Sequence, residues 1–96
     1  MTEKRSEKPV SKGDIVRSSA GRDKGRLYLV IRKEERAVFV ADGRHVKADK
    51  PKRKNIKHII KVSETALTEV VEKIERGESV GKESLFKAIR GATEKN

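Results

Sequence analysis

Apolar side chains along this chain recur with two different periods, and the change falls about two-thirds of the way along. Asp14-Ile-Val-Arg-Ser18 is a short strand candidate. In Leu27-Tyr-Leu-Val-Ile-Arg-Lys33, Leu27, Leu29 and Ile31 share one face while Tyr28, Val30 and Arg32 share the other, as in a strand. Glu34-Glu35-Arg36 reads as a polar turn, and Ala37-Val-Phe-Val-Ala41 returns as a third strand. Asp42-Gly43 marks a tight turn through its tolerance of positive φ. Arg44-His-Val-Lys47 predicts a short fourth strand. The stretch from Ala48 to Asn55 is too charged, and too close to Pro51, for a central strand and is expected to be a loop. His58-Ile-Ile-Lys-Val62 is the fifth candidate. Five short strands with tight connections predict a mainly β domain, a small five-stranded barrel whose closure protects its edges.

The period then lengthens. Leu67, Val70, Val71 and Ile74 fall on one face of an α-helix, with Glu69, Glu72, Lys73 and Glu75 elsewhere. Ser63 or Thr65 can cap its start, and Gly77 stands where a helix-terminating glycine belongs. A second helix is predicted from about Lys82 to Arg90, with Leu85, Phe86 and Ile89 as its stripe. Val80, ahead of a Gly81 cap, can pack on Leu85 as a hydrophobic staple. Helices this short are unstable alone in water, so they must dock on the β domain, pair with each other or meet a partner. The expected organisation is a flexible polar and basic tail over 1–12, a β domain over 13–62 and a helical extension over 63–96.

Charge sharpens this division. Residues 1–60 hold 18 Lys and Arg against 8 Asp and Glu, whereas residues 61–96 hold 7 of each. From Arg44 to His58 seven cations (Arg44, Lys47, Lys50, Lys52, Arg53, Lys54, Lys57) accompany one acid, Asp49. Such a stretch repels itself and calls for a polyanion, of which nucleic acid is the leading candidate. The chain has no cysteine, hence no disulfide and no thiolate metal site, which fits a reducing, cytoplasmic setting. No apolar run approaches the ~20 residues of a membrane span, and no hydrophobic segment follows the basic N-terminus as in a secretory signal.

The most specific local feature is Gly21-Arg-Asp-Lys-Gly-Arg26 between the first two strand candidates. Two glycines permit a tight turn with close backbone approach, from which Arg22, Lys24 and Arg26 project. With the neighbouring Ser18, Ser19 and Asp23, this hairpin is a candidate phosphate clamp. The second candidate surface is the basic stretch, comprising Arg44, Lys47, Lys50, Lys52, Arg53, Lys54, Asn55, Lys57 and His58. Arg53 and Asn55 can read base edges, while most of these groups suit the phosphate backbone. Aromatic residues are scarce: Tyr28, Phe39 and Phe86. Base stacking is limited to Tyr28 at best, and Tyr28 and Phe39 are expected as side chains of the β core. Recognition of structured RNA through its shape and phosphates is the reading that results.

The segment Gly13-Asp-Ile-Val-Arg-Ser-Ser-Ala-Gly-Arg-Asp-Lys-Gly-Arg-Leu-Tyr-Leu-Val-Ile31 resembles a KOW motif, in which two alternating strands flank a glycine-bearing basic turn. Val40-Ala-Asp-Gly43 and Lys50-Pro-Lys-Arg-Lys-Asn-Ile-Lys-His58 extend the resemblance over about Lys12 to Val62. The similarity is to the KOW-bearing large-subunit ribosomal proteins of the fourteen-e type in archaea and eukaryotes, and to their small bacterial relatives. It implies an SH3-like barrel, contact with ribosomal RNA and association with the ribosome or its proteins. In place of the long C-terminal extension of those proteins, this chain carries a short, charge-balanced helical segment.

Other chemistries find little support. His45 and His58 sit among cations that disfavour protonation and metal binding, and are read as RNA-facing or structural. Ser18 and Ser19 lack a His–Asp relay and the acids are not paired in spacing, so no enzyme and no cofactor are expected. Two rivals remain at this stage: an SH3-like protein-interaction module, disfavoured by the shortage of aromatics, and a transcription-linked nucleic-acid-binding factor. A monomer is expected.

Overall fold

The computed structural model describes residues 10–63 and 67–93. Its strands are β1 (Ile15–Ser18), β2 (Leu27–Lys33), β3 (Ala37–Ala41), β4 (Lys52–Asn55) and β5 (Ile59–Ser63), followed by helices α1 (Thr68–Glu75) and α2 (Lys82–Thr93). A 3-10 turn, Ile56–His58, joins β4 to β5. The strands form one antiparallel sheet in the order β4-β3-β2-β1-β5. The domain is mainly β as expected, but the sheet is not closed into a barrel: β4 and β5 remain its two edges.

The alternation in β2 sorts its side chains as the sequence demanded. Tyr28 and Val30 join Val10, Val16, Val38 and Val40 in one buried cluster. Leu29 and Ile31 join Ile15 and Ala41 on the opposite face, where Val71, Leu85 and Ile89 of the two helices cover them. Both helices therefore dock on the sheet, which resolves the question their short length raised. Val10 is buried in the core, so the fold begins ahead of the expected boundary at residue 12. Phe39, expected in the β core, is half-buried and belongs to neither cluster.

The fourth strand lies elsewhere than expected. Arg44–Lys47 forms no strand, because Asp42 consumes its backbone donors. Asp42 Oδ1 accepts the N–H groups of Arg44, His45 and Val46 at 2.8 to 2.9 Å, and the N–H groups of Asp42 and Gly43 both donate to the Val46 carbonyl at 3.0 Å. The ladder partner of β3 is instead Lys52–Asn55, within the predicted loop. The objection from Pro51 and charge holds for a central strand only, and β4 is an edge, where both features are tolerated.

The helix ends follow local rules with one exception. The N-cap position of α1 is Leu67, with no side-chain cap; Ser63 closes β5 and Thr65 lies outside the described residues. At the other end the Gly77 N–H donates to the Ile74 carbonyl and the Glu78 N–H to that of Lys73, a Schellman motif with Gly77 at φ 82°. Helix α2 begins with the Leu85 N–H donating to the Gly81 carbonyl, and Val80 packs on the same cluster as Leu85. It runs past Arg90 to Thr93, whose Oγ1 donates to the Ile89 carbonyl at 3.1 Å.

Candidate nucleic-acid interface

In an antiparallel meander the β1–β2 and β3–β4 connections emerge at the same end of the sheet. The glycine hairpin is the first of these and residues 44–51 belong to the second, so chain topology brings them together, while the rest of the basic stretch runs down β4 and into the 3-10 turn. The start of β5 arrives at the same end, since Ser18 pairs with Ile59 and the Ser19 N–H donates to the His58 carbonyl at 2.9 Å.

Asp23 fastens the arrangement. Its carboxylate is 5% exposed, yet accepts from Ser18 Oγ at 2.8 Å, Tyr28 Oη at 2.6 Å, Lys54 Nζ at 3.0 Å and Lys52 Nζ at 3.3 Å. Burial pushes its pKa up, but the hydrogen bonds from Tyr28, Ser18, Lys54 and Lys52 together outweigh it and hold the carboxyl well below the usual carboxylate range. Tyr28 shows the reciprocal effect: burial and its bond to Asp23 push the phenol up to about 12, opposed by Arg26. The turn itself is set by Gly21 at φ 87° and Gly25 at φ 93°, with the Gly25 N–H donating to the Ser18 carbonyl at 2.8 Å.

These contacts divide the expected site residues into two groups. Ser18, Asp23 and Lys54 are buried and bonded to one another, so they shape the turn from within. Lys52 is partly committed to Asp23 while its side chain stays 46% exposed. Arg26 is half-buried beside Tyr28. Asn55 caps the 3-10 turn by accepting the Lys57 N–H at 2.8 Å. Arg44 is drawn to α2, donating through Nε and Nη2 to both Glu83 carboxylate oxygens at 3.2 and 3.0 Å and lying 3.9 Å from the centroid of Phe86. His45 Nδ1 lies 2.8 Å from Asp42 Oδ2, against a carboxylate that backbone hydrogen bonds keep below its ordinary pKa despite burial.

Exposed at the shared end are Arg22, Lys24, Lys47, Lys50 and His58, with half-buried Ser19 alongside; Lys57 is exposed too, next to Ile56, whose N–H donates to the Arg36 carbonyl in the β2–β3 turn. Arg53 is exposed too but points to the other face, because side chains alternate along β4 and both Lys52 and Lys54 reach Asp23. The run Lys52-Arg53-Lys54, read from sequence as one cationic patch, is thus split across the sheet. Sequence reasoning also overlooked Asp42 as the organiser of the β3–β4 connection. Read from sequence, the Asp42-Gly43 pair marks a tight turn through backbone φ alone, whereas an Asp side chain at such a position can also bond the backbone two residues on, as Asp42 does with Arg44.

Among the described residues there is no group of three or more His, Cys, Asp or Glu placed to hold a metal ion, and no helix long and apolar enough to cross a membrane. The surface can neutralise phosphates and approach them closely with backbone. No protein-family model matches the chain, and no curated protein does.

Proposed function

We propose that this protein is a non-enzymatic, KOW-type RNA-binding factor that engages structured RNA, ribosomal RNA foremost, through the basic end of its sheet. One observation carries the reading: Asp23 fastens the glycine turn to β4, the strand that the second basic connection leads into, and Arg22, Lys24, Lys47 and Lys50 stay exposed at that end of the sheet. Cations spaced over such a surface track phosphates, and the glycine turn lets backbone come close to them. The helices, charge-balanced and docked on one sheet face, serve the fold and hold the Asp42–Val46 turn through Arg44.

The test is titration with a ribosomal RNA hairpin at several salt concentrations, alongside duplex DNA of the same length. Affinity is expected to fall steeply with salt and to favour the RNA, whose A-form shape and 2′-hydroxyls distinguish it. Salt-insensitive association, or equal affinity for the DNA, refutes the reading. Crosslinking and sequencing of RNA bound in cells then identifies the target.

A further inference from the structure

Arg53, turned away from Lys52 and Lys54, joins a second group of side chains. Phe39 stands directly opposite Arg53 in the β3–β4 ladder and directly opposite Arg32 in the β2–β3 ladder. The Arg32 guanidinium carbon lies 4.1 Å from the centroid of the Phe39 ring. A bulge makes this possible. Val30 pairs with Val40, so regular pairing would put Ile31 opposite Phe39; the register shift sets Arg32 there instead. Bulges re-aim side chains in this way beside functional sites.

The group faces solvent. Arg32 and Arg53 are exposed, Phe39 lies outside both apolar clusters, and the helices cover the sheet elsewhere, over Ile15, Leu29, Ile31 and Ala41. The contact from Arg32 to Glu34 is 3.5 Å long between exposed side chains, too weak to immobilise the guanidinium. A guanidinium lying on an aromatic ring presents its outer plane to solvent, and that plane stacks on nucleobases. Its positive charge, with that of Arg53 two strands away, complements the phosphates flanking such a base.

We propose that Arg32, Phe39 and Arg53 form a platform on which an unpaired RNA base stacks. The proposal rests on the RNA reading above and adds to it a second surface, selective for bulged or single-stranded nucleotides.

Two hairpins test it, one carrying a single bulged 2-aminopurine and one fully paired. The wild-type protein is expected to quench the 2-aminopurine emission and to bind the bulged hairpin about ten-fold more tightly than the paired one. Arg32→Lys keeps the charge but removes the plane, so it should lose both the quench and the preference while still binding the paired hairpin within about two-fold of wild type. Phe39→Leu should behave alike, with its thermal unfolding followed in parallel to separate lost stacking from lost fold. Unchanged emission on binding, or a full preference retained by Arg32→Lys, overturns the platform and leaves the RNA reading standing. Failure to bind either hairpin overturns both.

Discussion

Asp23 and Lys54, 31 residues apart in the chain, meet at 3.0 Å with both side chains buried. A cation from the basic stretch is thereby used inside the protein, to hold the glycine turn against the edge strand. Arg22 and Lys24 of the turn, and Lys47 and Lys50 of the basic stretch, stay exposed. A buried ion pair need not stabilise more than an apolar pair of the same shape, but removing one partner strands the other charge in a dry environment.

Asp23→Asn keeps the size of the side chain and leaves the Lys54 ammonium without its counter-charge. It is expected to lower stability by about 3 kcal/mol, read as a lower urea midpoint at unchanged m-value. Lys54→Met should cost about 1–2 kcal/mol, because Ser18, Tyr28 and Lys52 still satisfy the carboxylate. Equal losses in the two variants would contradict the unbalanced-charge account.

Asp23 and Tyr28 make stability depend on pH at both extremes. The folded Asp23 carboxyl sits below its unfolded value, so its contribution is complete above about pH 4 and is lost as pH falls toward the depressed folded value. The Tyr28 phenol, raised to about 12, contributes fully below about pH 10 and loses that contribution as pH rises between the two values. Asp23→Asn should flatten the acid limb of a stability–pH curve, and Tyr28→Phe the alkaline limb. Unfolding free energies measured from pH 2 to pH 12 by denaturant titration check both.

RNA binding should separate exposed from buried cations. Lys24→Ala and Lys50→Ala are each expected to reduce the slope of log affinity against log salt by about one unit. Lys54→Met should leave that slope unchanged, since its ammonium faces Asp23. A slope change for Lys54 as large as that for Lys24 would place Lys54 on the RNA instead.

Two glycines at positive φ should differ in what they tolerate. Gly25, at φ 93°, has open space where a Cβ would go, so Gly25→Ala meets backbone strain alone, about 1 kcal/mol. Gly43, at φ 88°, lies against the Lys82 carbonyl, and an added Cβ would also stand 3.1 Å from that of Leu85. Gly43→Ala should therefore cost about 3 kcal/mol by combining strain with overpacking. Thermal unfolding of the two variants ranks them, and comparable losses would mean that the Asp42–Val46 turn does not bear on α2.

The chain's local patterns determined the β1, β2 and β3 segments, both helices, the Gly77 terminus and the clustering of charge. Each is a matter of neighbours within a few residues: the two-residue alternation of a strand, the helical stripe, or a glycine free to take positive φ. The β1–β2 turn was legible for the same reason. Tertiary structure decided the rest. Arg44–Lys47 had adequate strand character, but the Asp42 carboxylate closed it into a turn, and β3 took Lys52–Asn55 as its partner. Alternation along that strand then sent Lys54 inward to Asp23 and Arg53 to the far face, beside a Phe39 that a bulge had capped with Arg32. A side chain's charge is written in the sequence. Whether that charge meets solvent or a buried counter-ion depends on contacts between segments some thirty residues apart, which no local window contains.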